Sequence, residues 1–229
     1  MAETWRVDLH NHTKWSKDCL VEFDTIMRLC EKRGIDRIAI TDHNTAEAAL
    51  QMKARAPEKI IVGEEIMTTQ GEILAFYVKE TVPEGLTPLE TIHRLRDQGA
   101  VISVSHPFDR LRKGAWQEHE LLAIVDKVDA VEVFNARCLF PADNAQAEAF
   151  AQQHHLPGTA GSDSHSRSEY GHGMTLMRPF DIDDPEDFLD ALRTATYKRD
   201  YSTPIVHIES KVAKWSKKLG LRPRMWEGG

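Results

Sequence analysis

Short apolar runs alternate with segments of helical period along almost the whole 229-residue chain, and that alternation restricts the fold more than any other feature. Strand-like runs lie at Arg6–Leu9, Arg37–Thr41, Ile60–Glu65, Ile73–Val78, Val101–Ser105, Ala130–Phe134 and Gly173–Met177, with a run of small residues at Gly158–Gly161. Helical spacing separates them. Phe23, Ile26, Met27 and Cys30 fall at i, i+3, i+4 and i+7 ahead of Gly34, a C-terminal stop. Thr87-Pro88-Leu89-Glu90 reads as a capping box with proline at the first helical position, and that helix stops at Gly99. Further helices are expected from about Thr45 to before Pro57, at about Trp116–Val125 and Asn144–His154, from Asp184-Pro185 to about Ala195, and from near Glu209. Such spacing predicts parallel βαβ units. About seven of them fit, which favours a closed or nearly closed α/β barrel over an open sheet, though periodicity does not separate the two. The chain reads as a single domain, 1–229, with a helical and basic C-terminal tail at about 209–229.

Composition narrows the class of partner. Acids outnumber bases 36 to 29, a net charge of −7, which argues against long nucleic acid or an anionic membrane as the ligand. An apolar content of 41% with 7% aromatics suits a soluble globular chain. Neither a membrane-spanning run nor a signal-peptide pattern is visible, so a cytoplasmic location is the expectation. Cys19, Cys30 and Cys138 are odd in number and lack CxxC spacing, so they are read as packing residues.

The chemistry lies where strands end. The first strand runs into His10-Asn11-His12, the second into Asp42-His43, the third into Glu64-Glu65, the fifth into His106-Pro107, and the small-residue run into Asp163-Ser164-His165. Side chains two apart on a strand point the same way, so His10 pairs with His12 and Asp163 with His165. In a barrel these ends converge on one face. Five of the eleven histidines sit there. Imidazole and carboxylate without thiolate suits manganese, zinc or iron, and the donors are too many for one tetrahedral ion. Two or three divalent ions are expected. A serine-hydrolase reading of Gly161–His165 fails, because a nucleophile elbow needs G-x-S-x-G and the second glycine is missing.

The ordered set Asp8-Leu9-His10-Asn11-His12-Thr13, Thr41-Asp42-His43-Asn44, Gly63-Glu64-Glu65, Ser105-His106-Pro107 and Gly161-Ser162-Asp163-Ser164-His165 resembles the PHP (polymerase and histidinol phosphatase) family. Weaker similarity continues through Gly171-His172-Gly173-Met174-Thr175. The resemblance implies a distorted (β/α)7 TIM-like barrel, a two- or three-metal site and phosphoester hydrolysis. His10, His12, His43, Glu65, His106, Asp163 and His165 match the family's ligand positions, and Glu65 would bridge. Asp18 matches another, since relatives carry His or Asp there, and Glu72 stands where many have histidine. Glu64 should point away, and Asp42 is expected to orient a ligand or shuttle a proton.

Arg137 is the candidate for gripping phosphate, whereas Arg110, Arg112 and Lys113 read as a solvated loop. His172 is a further candidate for substrate contact. His93, His119, His154, His155 and His207 are assigned surface or capping roles. The expected function is hydrolysis of a small phosphorylated molecule. A nuclease trimming short oligonucleotides and a non-catalytic, metal-stabilised regulatory module are the alternatives. Oligomeric state is not legible.

Overall fold

The computed structural model describes residues 3–220. Its strands are β1 (Trp5–Asp8), β2 (Arg37–Ile40), β3 (Ile60–Met67), β4 (Glu72–Phe76), β5 (Val101–Val104), β6 (Ala130–Asn135), β7 (Gly158–Gly161), β8 (Gly173–Met177) and β9 (Thr196–Arg199). They hydrogen-bond in sequence order, and β8 also pairs with β1, which closes a barrel of eight strands with β9 attached to β8. The barrel is as expected; the count of seven βαβ units is not. The pairs β3–β4, β4–β5, β7–β8 and β1–β8 are antiparallel, so β4 and β8 run against the other six barrel strands. The reason is visible between β3 and β4, where only Thr68–Gly71 intervene. A parallel crossover needs a dozen or more residues, so so short a link can only turn back.

Helices α1 (Phe23–Arg33), α2 (Glu47–Arg55), α3 (Pro88–Asp97), α4 (Glu118–Leu122), α5 (Pro141–Gln153), α6 (Pro185–Leu192) and α7 (Val206–Lys218) fill the connections. Gly34 ends α1 in the left-handed conformation, and Thr87 with Glu90 forms the expected capping box on α3. Several helix boundaries differ from the sequence expectation, among them the end of α6 at Leu192 rather than about Ala195. α4 is shorter than Trp116–Val125 because Trp116 turns inward and donates its indole N–H to the Glu72 carbonyl at 3.0 Å. α5 starts earlier, with Pro141 in its first turn, and Asn144 is turned in to bind both backbone groups of Asn135. α7 begins at Val206 rather than near Glu209. The tail expectation beyond Gly220, including Trp226, lies outside the described residues. Among the described residues no helix is long and apolar enough to cross a membrane.

The barrel interior changes character along its axis. Ile61, Leu74, Phe76, Val101 and Ala130 form one apolar cluster, into which α6 packs Phe188 and Leu192. Further along the same strands the alternate positions become Glu65, Glu72, Ser103, Ser105 and Glu132, all buried. Glu72 opens β4, so reversing that strand carries its first residue to the end where its neighbours finish. Antiparallel pairing thus delivers a carboxylate that a uniform βαβ barrel would place at the opposite mouth.

Candidate metal centre

The strand ends are sewn together before any ligand is considered. Beyond β1, His12 N–H donates to the Ser164 carbonyl at 3.0 Å, and Asp163 N–H donates to the His10 carbonyl at 2.7 Å. This parallel bridge between Asn11 and Ser164 sets the two histidine-bearing motifs side by side. Gly161 is required there, since a Cβ at that position would collide with the His10 Cβ. His106 and Asp163 adopt left-handed backbone angles, φ 21° and 51°. Strain of that kind persists only where the surroundings enforce it, and it gathers at functional sites.

All nine predicted ligands come together. His10 Nε2 and His12 Nε2 are 3.2 Å apart, and His43 Nε2 and His165 Nε2 are 3.4 Å apart. Glu65 lies at the centre. Its Oε1 is 3.3 Å from His10 Nε2 and 3.1 Å from His106 Nε2; its Oε2 is 3.4 Å from His12 Nε2 and 2.9 Å from His43 Nδ1. Asp163 Oδ1 stands 3.3 Å from His12 Nε2, Asp18 Oδ1 stands 3.4 Å from His165 Nε2, and Glu72 Oε2 stands 3.4 Å from His106 Nε2. Three overlapping triads have donor atoms mutually within 4.8 Å: His12, His43 and His165; His10, His12 and Asp163; His43, Glu65 and Glu72.

The donor set fits divalent cations. Glu65 Oε2, Asp18 Oδ1, Asp163 Oδ1 and His106 Nδ1 are buried and, apart from the ion-pair contacts just given, make no well-formed hydrogen bond among the described residues. Orphaned groups cost free energy in a fold, and cations among them would satisfy several at once. Nitrogen and oxygen donors without sulfur suit manganese, zinc or iron. Imidazole charge is set by position. Burial, together with His165 and His43, holds His12 well below the usual histidine range, which leaves a neutral ring able to ligate. Burial also opposes charge on His43, but Glu65, with Asp18 and Glu72, outweighs it and raises that ring to about 9. For Asp163 burial is overcome by Arg112 and His10, so its carboxyl stays well below the usual range.

A second layer aims the ligands. Glu132 Oε1 lies 2.9 Å from His10 Nδ1, which turns His10 Nε2 toward Glu65; its Oε2 accepts from His106 N–H at 2.8 Å. Asp42 accepts from Thr13 and Ser16 backbone N–H at 2.7 and 3.1 Å and from their hydroxyls at 2.6 and 2.5 Å. It therefore shapes the loop that presents Ser16 Oγ to His12 Nδ1 at 3.1 Å. Arg137 is buried: Nη1 lies 2.6 Å from His165 Nδ1, Nη2 donates to Ser210 Oγ at 2.5 Å, and Nε is 3.2 Å from Glu169.

The loop after β5 departs from the sequence expectation. Arg110 is exposed, paired with Asp143, but Arg112 folds inward and pairs with Asp163 and Asp109. A turn in which Arg112 N–H donates to the Asp109 carbonyl swings it there. His207, expected at the surface, is half-buried beside the site, whereas His172 contacts Ser202. Glu132 went unremarked in the sequence; its signal was an acid in the middle of an apolar strand, a position that needs buried partners. Outside the cluster opens a cavity of about 460 Å³, lined by Asp18, His165, Arg112, Arg137 and, from α7, Lys211 and Lys214.

Comparison with known proteins agrees with this geometry. Residues 8–135, more than half the chain, match the PHP domain, and residues 141–197 match the PHP-associated region that accompanies it. Two uncharacterized proteins of Methanocaldococcus jannaschii are related. One is 36% identical over 149 residues, covering 57% of this chain and 82% of the relative; the other is 33% identical over 199 residues, covering 83% and 80%. Among solved structures, a two-domain protein from Bacteroides vulgatus containing a predicted PHP-like metal-dependent phosphoesterase superposes with TM-score 0.70 at 20% identity, over 86% of this chain and 65% of that longer one. PsfC from Pseudomonas syringae superposes with TM-score 0.69 at 19% identity, over 95% of this chain and 100% of its own. The lesion-specific endonuclease EndoQ of Pyrococcus furiosus shares the fold at TM-score 0.58 and 16% identity, over 85% of this chain and 58% of its own. With barrel, motifs and family match in agreement, the chain belongs to the PHP domain family.

Proposed function

We propose that the chain is a metal-dependent phosphoesterase that hydrolyses a small phosphorylated molecule. The observation that carries this reading is the fusion of three donor triads, with buried carboxylate oxygens among them, next to a cavity that reaches the cluster through Asp18 and His165 and carries four cationic side chains. His10, His12, Asp18, His43, Glu65, Glu72, His106, Asp163 and His165 would hold two or three divalent ions. Bound there, such ions supply Lewis acidity toward a phosphoryl oxygen and lower the pKa of water. The chain's own groups do the rest. Arg112 and Arg137, each paired with carboxylates, set guanidinium groups at the edge of the cluster along the cavity that a phosphate would enter. Asp42, through Ser16, holds His12 and the His43 backbone in place. Burial keeps bulk water from competing for the anionic ligands.

The test is metal analysis of purified protein joined to a panel of nucleoside monophosphates, sugar phosphates and short oligonucleotides, with manganese, zinc and iron supplied in turn. Stoichiometric metal and a monoester preference are expected, with activity reduced at least a hundredfold, to order of magnitude, in Asp163→Ala and His12→Ala. Protein that takes up no transition metal, or variants with undiminished activity, would sink the reading. Preference for oligonucleotides would favour a nuclease instead, a reading kept by the shared fold of the endonuclease. A metal-loaded protein inert across the panel would favour a regulatory module.

A further inference from the structure

We infer that the substrate carries a second anionic group remote from the scissile phosphate, and that Lys211 and Lys214 select it. This deepens the phosphoesterase reading and rests on it for the identity of the first group. Four cationic side chains line the cavity, and they divide into two kinds. Arg112 is neutralised by Asp163 and Asp109, and Arg137 faces Glu169. Lys211 and Lys214 are exposed, line the same cavity, and have no ion-pair or hydrogen-bond partner among the described residues. Their spacing of three places them on one helix face.

That face is held in register with the ligands. Arg137 ties α7 to His165 through Ser210 and the Val206 carbonyl, while Lys217 Nζ donates to the carbonyls of Lys14 and Ser16 in the loop that leads to Asp18. The two free lysines are thus fixed relative to the metal ligands at two points along one helix. Leu111, Leu139 and Pro204 add apolar side chains to the wall, beside Asp109, His207 and Ser210. The cavity therefore offers an edge of the ligand cluster at Asp18 and His165, apolar side chains for the body of a substrate, and a separate pair of unneutralised charges. A volume near 460 Å³ suits a small molecule. A second phosphate or a carboxylate would answer the lysines equally in kind.

Calorimetric binding to the full metal-loaded chain tests this without turnover. The probes are phenylphosphonate, para-carboxyphenylphosphonate and para-benzenebisphosphonate. The second anion should tighten binding about tenfold at low salt, and K211A/K214A should lose that gain while its thermal unfolding matches the parent. A gain with the bisphosphonate alone identifies phosphate as the second group; a gain with both identifies any anion. Equal affinity across the series, or a gain that survives K211A/K214A, overturns the inference. Hydrolysis of phenyl phosphate and para-carboxyphenyl phosphate separates the two readings. Turnover of both with no lysine-dependent preference leaves the phosphoesterase and removes the selectivity. A lysine-dependent binding gain with no turnover under any metal does the reverse.

Discussion

The inner and outer faces of β3 carry adjacent buried glutamates in opposite electrostatic settings. Glu65 points into the barrel, where its oxygens lie within 3.4 Å of nitrogens from His10, His12, His43 and His106. Burial alone would protonate it, yet His10 and His43 outweigh burial and hold it well below the usual carboxylate range. Glu64 points the other way and is just as buried, but among the described residues its side chain's one hydrogen bond comes from the Val82 N–H at 2.9 Å. Burial there pushes its carboxyl up to about 8. Removal from water is common to both positions. What differs is the company of cations, and strand alternation decides which residue receives it.

The sharpest way to break this contrast is Glu65→Gln. An amide cannot serve as an anionic bridge, so bound metal should fall below stoichiometry and phosphoester turnover should drop by about a hundredfold or more. Metal content by mass spectrometry of the native protein reads the first effect directly. Retention of full metal by this variant would show that the central position of Glu65 carries no special weight. A smaller loss is expected from Glu132→Gln, which leaves every ligand in place but weakens the hold on His10 Nδ1. Outer partners of ligand histidines contribute roughly ten- to hundredfold to metal affinity, and competition against a chelator would measure it.

Legibility in the sequence followed the same division between faces. The ligand positions could be read because strand ends concentrate histidine, and because HxH and DxH spacing fixes relative orientation. Strand reversal could not be read from alternation alone, since an apolar run looks alike in either direction; only the four-residue link before Glu72 betrayed it. Arg112 was missed because a loop's path depends on long-range pairing, here with Asp163 some fifty residues on. Glu132 was missed for a different reason. Its neighbours Val131 and Val133 make the strand signal so plain that the acid between them drew no attention of its own. The role of α7 lay in its contacts, Ser210 to Arg137 and Lys217 to the Lys14 carbonyl, which no periodicity encodes.

Glu64→Gln probes the outer face, and its effect is on stability. With a folded pKa near 8 against an ordinary 4.5, the native chain keeps a proton that the unfolded chain gives up. Stability from this group is therefore full below pH 4.5 and is lost as pH rises through about 8. Glutamine can still accept from the Val82 N–H and never ionises. The variant should exceed the parent in unfolding free energy by several kcal/mol near pH 9, at most about 5, with the difference closing toward about pH 5. Denaturant midpoints compared across that range, at constant metal, give the measurement, and metal content should match the parent throughout. Parallel curves from acid to alkaline pH would mean that water reaches Glu64, and that burial is not what separates it from Glu65.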